Sequence, residues 1–290
     1  MKADKASQTA QYMALFRALE TTRPANKRLF KDSYAISFLD SKLNLAVRLS
    51  PISFVRSYVQ STIRKKIPGA LSSGIARTRY IDDLLQQTVQ HNIQQVIILG
   101  AGFDTRALRL DYLSNIPVIE IDHPNTARKK TTILKRKLGT LPNHIHYWQI
   151  DFNKESLQEL ATREKLNFSI PTTIIWEGVT NYLNAEAINN TFAFAQQFAA
   201  GSYIIFTYVH QQVLDAPENF FGATKLLKDL NALEERWTFG FNPEDLSAYL
   251  KQYNYVLLED SGASNYRDKY LPDRPEKGYE FYRVAFASKV

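Results

Sequence analysis

The chain has 290 residues and carries 36 Lys and Arg against 29 Asp and Glu, with no cysteine. Disulfides and thiolate metal sites are thereby excluded, and the reducing cytoplasm is the expected compartment. The charge is uneven, with 15 basic against 4 acidic side chains in residues 1–80 and 21 against 25 in the rest. Met1-Lys2-Ala3-Asp4-Lys5 has no apolar stretch behind it, which predicts no secretory signal. No apolar run approaches the ~20 residues that span a bilayer, so no membrane partner is expected.

Residues 1–90 read as a helical cap. Ala10, Met13, Ala14 and Arg17 fall close to one helical face, Leu15 pairs with Leu19, and Pro24, Pro51 and Pro68-Gly69 break the region into pieces. A further helix is predicted over 75–90. From residue 96 strand and helix alternate. Apolar strands are predicted at 96–100, 117–122, 145–150, 172–177 and 202–209, with helices at 105–113, 124–138, 154–163 and 185–199. Amphipathic segments follow at 223–236 and 243–252, then strands at 255–259 and 279–287. The pattern predicts an α/β fold over 91–290: a mostly parallel sheet with an antiparallel C-terminal end. Residues 211–245 form an insertion carrying Phe220, Phe221, Trp237, Phe239 and Phe241, either packed as core or lining an acceptor pocket.

The chemistry concentrates where the first strand ends. Val96-Ile97-Ile98-Leu99 runs into Gly100-Ala101-Gly102-Phe103-Asp104, and Val118-Ile119-Glu120-Ile121-Asp122 follows as a second strand. Glycines here permit positive φ and close approach of backbone N–H groups to a ligand. Thr105 or Asp104 would cap the next helix. Glu120 or Asp122 is placed to accept ribose hydroxyls, the arrangement of a nucleoside-cofactor site. A dinucleotide fingerprint would put a third glycine at position 105, where Thr105 stands. A cofactor without a pyrophosphate, S-adenosylmethionine, therefore fits better.

In an open α/β sheet ligands sit outside the carboxyl ends of the strands. Those ends supply Gly100, Ala101, Gly102, Asp122, Asp151-Phe152, Trp176-Glu177-Gly178 and Tyr208-Val209-His210. His210, Tyr208 and His123 are candidate general bases for a hydroxyl acceptor, whereas a carboxylate acceptor would need none. His144 and His146 lack a further ligand pattern, and no metal site is expected. Competing classes are a nicotinamide-dependent oxidoreductase and a protein binding or modifying RNA with its basic face. The missing third glycine and the lack of a Tyr-x-x-x-Lys pair speak against the first, and no recognisable nucleic-acid module supports the second.

Gly100-Ala101-Gly102-Phe103-Asp104-Thr105-Arg106, Glu120-Ile121-Asp122-His123-Pro124 and Trp176-Glu177-Gly178-Val179-Thr180-Asn181-Tyr182-Leu183 resemble the signature blocks of the leucine carboxyl methyltransferase-like family. The similarity is to its bacterial branch of class I S-adenosylmethionine-dependent methyltransferases. Ala76-Arg77-Thr78-Arg79-Tyr80-Ile81-Asp82-Asp83 and Phe239-Gly240-Phe241 with Pro243-Glu244-Asp245-Leu246 match further blocks. The resemblance implies a Rossmann-like seven-stranded fold and O-methyl transfer to a carboxylate or hydroxyl of a small molecule, with an acidic acceptor suiting the basic N-terminal region. It implies that Gly100 and Gly102 cradle the methionine part with Asp104 nearby. Asp122 would bind ribose, Asp151 and Phe152 would flank adenine, Arg79 would pair with the methionine carboxylate, and Glu177 would lie near the ammonium or sulfonium. Arg17 is a second candidate for the carboxylate. His123 stands where the family usually has Gln or Arg.

Overall fold

The computed structural model describes residues 8–152, 154–232, 235–274 and 277–290. The opening pentapeptide and residues 233–234 of the predicted 223–236 helix lie outside them.

Seven strands form one sheet: β1 (Gln95–Leu99), β2 (Val118–Asp122), β3 (Ile145–Gln149), β4 (Thr172–Trp176), β5 (Tyr203–Val209), β6 (Tyr255–Ser261) and β7 (Tyr282–Lys289). Their order is β3-β2-β1-β4-β5-β7-β6. β1 to β5 are mutually parallel, and β7 runs antiparallel to both β5 and β6. The Val/Ile-rich sequences of β1 and β4 suit strands covered on both faces, and both are buried throughout. Strand order reverses between β1 and β4, which opens a crevice at their carboxyl ends.

The N-terminal region folds into α1 (Gln8–Thr21), α2 (Ser41–Leu49), α3 (Ser53–Lys66) and α4 (Ala70–Gln90). Asp40 starts α2 by accepting from the N–H groups of Lys42 and Leu43, both at 2.9 Å. Pro51 falls in the α2–α3 connection, and Gly69, at φ 86°, precedes α4. Leu15, Phe16 and Leu19 of α1 are buried with Ile63 of α3 and with Leu71 and Ile75 of α4, so these three helices share one core.

The crossovers are α5 (Arg106–Arg109), α6 (Pro124–Leu138), α7 (Leu157–Arg163) and α8 (Ala185–Ala195). The predicted 105–113 helix is shorter, four residues of α-helix followed by a 3-10 turn at Asp111–Leu113. The insertion holds α9 (Gln212–Asp215) and α10 (Ala223–Ala232), and α11 (Pro243–Lys251) precedes β6. Its Trp237 and Phe241 are buried against the sheet, whereas Phe221 is exposed. The helix α12 (Ala263–Tyr270), like the short α9, has no counterpart in the sequence reading. Its sequence ASNYRDKY is polar enough to hide the two buried tyrosine and alanine positions that seat it.

Candidate active site

The turn after β1 is held from both sides. Gly100 and Ala101 donate to the carbonyl of Ile121 at 2.9 and 3.1 Å, and Gly102 donates to the Asp122 carboxylate. Gly100 has φ 64° and Gly102 φ 49°, the left-handed region that costs an L-residue ~1–2 kcal/mol. A Cβ on Gly100 would also collide with Val179 Cγ2, so this turn packs directly on the one after β4. That second turn is fixed by Gly178, whose N–H donates to Thr207 Oγ1 at 2.8 Å, and by Thr180, whose hydroxyl donates to the Thr207 carbonyl. Thr238 of the insertion donates its N–H to the Asn181 carbonyl at 2.8 Å, tying the insertion to the same turn.

Behind the two turns lies a buried ionic network. Glu177 accepts from Arg77 Nε at 2.9 Å and lies 2.9 Å from Arg106 Nη1. Arg106, 3 % exposed, also donates to Asp82 at 2.9 Å and to Asp104. Arg109 closes a bidentate pair with Asp82 at 2.7 and 2.8 Å. Arg17 donates to Asp32 at 2.8 Å and to the Phe103 carbonyl at 2.5 Å, and Thr105 donates its hydroxyl to Asp32 at 2.6 Å. Four guanidinium groups thus balance four carboxylates. Burial alone would raise the Asp104 and Glu177 pKa values. Arg106, with Lys130 and Arg17 for Asp104 and with Arg77 for Glu177, outweighs it and holds both carboxyls low. The Arg77 guanidinium also stacks on Tyr282, 4.5 Å from its ring centre.

Beside this network a cavity of about 650 Å³ opens at the ends of β1, β2 and β4. Leu99, Gly100, Ile121, Phe152, Trp176 and Val179 stand in its wall, with α7 and α8 closing the far side. Its size is that of a small-molecule or cofactor site. Phe152 is 65 % exposed at its edge.

Several expected residues lie elsewhere. Arg79 donates to Asp83 at 2.7 Å and to the Leu29 carbonyl at 2.9 Å, and is 41 % exposed. Two positions on a helix differ by ~200° in direction, so Arg79 faces away from the site that Arg77 enters. Tyr208 is wholly buried and its hydroxyl is held by Asp260 at 2.7 Å and Arg283 at 2.9 Å. Burial, with Asp260 beside it, pushes its pKa up, which leaves it a core residue and no base. His210 is half-buried, its Nδ1 accepts from the Gln212 N–H at 3.2 Å, and burial lowers its pKa. Neither borders the cavity. His123 caps α6 by accepting from the Asn125 N–H at 3.3 Å. Asp122 turns onto the N–H groups of Gly102 and His123, and burial raises its pKa against those two bonds. Asp151 is paired with Lys154 at 3.5 Å. Neither acid is among the described cavity-wall residues, although their neighbours Ile121 and Phe152 are.

Glu120 is not among the cavity-wall residues. It is sealed beneath the sheet 2.5 Å from Lys130, and burial, only partly offset by that ammonium, raises its pKa to about 7. A carboxyl raised on folding favours the folded state at low pH and loses that contribution as pH rises from about 4.5 through about 7. Glu120→Gln is expected to flatten the fall in urea-unfolding stability across that window relative to the parent. An unchanged slope would show that Glu120 does not titrate there.

A model of the leucine carboxyl methyltransferase family matches residues 10–196. A Bacillus subtilis protein provisionally named an S-adenosyl-L-methionine-dependent methyltransferase is 27 % identical over 222 residues, covering 74 % of this chain and 71 % of its own length. A Streptomyces avermitilis protein with the same provisional name is 30 % identical over 208 residues, covering 71 % and 70 %. Among solved structures, a provisionally assigned methyltransferase from Thermobifida fusca superposes with a TM-score of 0.57 at 16 % identity, over 93 % of this chain and 97 % of its own. A DUF574-family protein from Streptomyces avermitilis gives 0.58 at 14 % identity, over 94 % and 100 %.

Proposed function

This chain belongs to the leucine carboxyl methyltransferase family and is an S-adenosylmethionine-dependent methyltransferase, and we propose that it methylates a carboxylate of a small acidic molecule. The observation that supports this reading is the buried Arg77–Glu177–Arg106 cluster behind a glycine turn that borders a cofactor-sized cavity.

The residues present fit the cofactor. Gly100 and Gly102 leave the turn free of side chains, so a ligand can approach the backbone. Arg77, Arg106 and Glu177 are paired with one another and do not line the cavity; opening these pairs would let the two arginines hold the methionine carboxylate and Glu177 the ammonium. The network is electrically balanced, and a zwitterionic end can exchange into it without leaving net buried charge. Asp122 keeps lone pairs beyond its two backbone bonds for ribose hydroxyls, and Phe152 offers its ring to adenine. Bound S-adenosylmethionine supplies a methyl group on an activated sulfonium.

The protein's task is then to hold the acceptor in line and exclude water. A carboxylate is ionised at neutral pH and needs no base, which agrees with Tyr208 and His210 lying off the cavity. The family's name describes carboxyl methylation, and the basic N-terminal region favours an anionic acceptor. In this reading the acceptor side is that of α1, whose Ala10 packs beside Gly102, and of the insertion, which Thr238 ties to the turn after β4. A hydroxyl acceptor is the second reading, since His210 remains half-exposed beside Phe220.

Incubation with methyl-labelled cofactor and a small-molecule extract tests the choice. Label released as methanol by mild base is expected, because methyl esters hydrolyse. Label that survives base would identify an ether or amine product and contradict the carboxylate reading.

A further inference from the structure

The two basic stretches of the sequence meet in the fold on the side of the cap. Lys42 of α2, Lys66 of α3 and Lys129 of α6 line one cavity of about 670 Å³ with Leu15, Leu43 and Ile63. Between Asp40 and Asp82 the chain has eight Lys and Arg and no acidic residue. Asp40, at the cavity, spends its carboxylate on the N-terminus of α2.

The outer surface of the same hairpin is apolar. Leu45 and Leu49 stand one turn apart on α2, Phe54 and Tyr58 one turn apart on α3, and Ile52 lies in the connection, all between 44 and 73 % exposed. Five of the ten large exposed apolar side chains among the described residues fall in these fourteen positions, a cluster where scattered exposure would be ordinary. Packing on the fold uses the other side, where Val47 and Ile63 are buried. The outward stripe therefore adds nothing to the core.

Arg48, beside Leu49, and Arg64, Lys65 and Lys66, in the last turn of α3, are exposed on the same hairpin. A second copy of the chain would bring like charges together around it, and nucleic acid would leave the leucines and isoleucine unmatched. An anionic lipid interface satisfies both parts, with acyl chains for the stripe and headgroups for these cations. We propose that the α2–α3 hairpin docks the enzyme reversibly on anionic membrane surfaces. No helix among the described residues is long and apolar enough to cross a membrane, so this contact is peripheral. It revises the expectation of no membrane partner, and it does not depend on the choice of acceptor.

Co-sedimentation of the full chain with phosphatidylcholine vesicles, with and without phosphatidylglycerol, is the test. Binding at least ~10-fold stronger to the anionic vesicles and reversed by high salt is expected. Phe54→Asp, and separately Lys65→Glu with Lys66→Glu, should each weaken it ~10-fold or more while S-adenosylhomocysteine affinity stays unchanged. All three positions are exposed, and the charge-reversal pair gives the reading even if Phe54→Asp impaired folding. Equal binding to both vesicles, or binding indifferent to these variants, would overturn the proposal. So would a dimer that Phe54→Asp dissociates in a protein that ignores vesicles, which would assign the stripe to a second copy.

Discussion

Arg106→Ala is expected to destabilise the protein by about 3–5 kcal/mol, the usual cost of removing one member of a buried ion pair. Arg106 is 3 % exposed and touches three carboxylates, those of Asp82, Asp104 and Glu177. Asp82 retains Arg109 and Glu177 retains Arg77, but Asp104 is left buried with the backbone N–H of residue 106 and the more distant Lys130 and Arg17 to hold its charge. The penalty thus falls mainly on Asp104 and on the glycine turn beside it. Urea unfolding should show a lower midpoint at unchanged slope. Asp104→Asn placed on Arg106→Ala should recover part of the loss, because it removes the uncompensated charge. A single-variant loss below about 1 kcal/mol would mean that water reaches the network and that it is no preorganised site.

Much of the fold was legible because period and punctuation agreed. The apolar runs at 96–100 and 172–177 are strands that nothing but a covered parallel sheet would bury, and Pro124 with Gly139 brackets α6 at the expected bounds. The antiparallel end followed from two strands after the last βα unit. What sequence could not supply was direction. Glu120 and Asp122 look equivalent in the string, yet burial beside Lys130 removes the first while the second ends its strand at the glycine turn. Tyr208 sits at a strand end but points into the aromatic core with Phe241.

The sequence itself distinguishes Arg77 from Arg79. Arg77 shares a helical stripe with Tyr80, Ile81, Leu84 and Thr88, all buried, whereas Arg79 pairs at i+4 with Asp83. Helical periodicity, applied to that block, separates the inward arginine from the surface one. Arg106 gave a weaker signal: a basic residue directly after the turn. Its burial depends on Asp82 arriving from α4, a contact of long range that no local pattern encodes.

The same pair of arginines provides the largest expected effect on binding. Arg77→Gln removes a charge-assisted contact to the methionine carboxylate, of the kind worth about 1.5–3 kcal/mol, or roughly 10- to 150-fold in affinity. Glu177 keeps Arg106 at 2.9 Å in this variant, so the cluster retains one of its two cations. Arg79→Gln removes a half-exposed i,i+4 pair, which contributes little in water, and the bond to the Leu29 carbonyl, neither of them at the glycine turn. Calorimetric titration of S-adenosylhomocysteine into the parent, Arg77→Gln and Arg79→Gln therefore asks where the cofactor sits. Binding by the parent, at least ~10-fold weaker in Arg77→Gln and within about twofold in Arg79→Gln, is the predicted result. Parent affinity preserved in Arg77→Gln, or lost in Arg79→Gln, would contradict a cofactor held at the Gly100 turn by the inward face of α4.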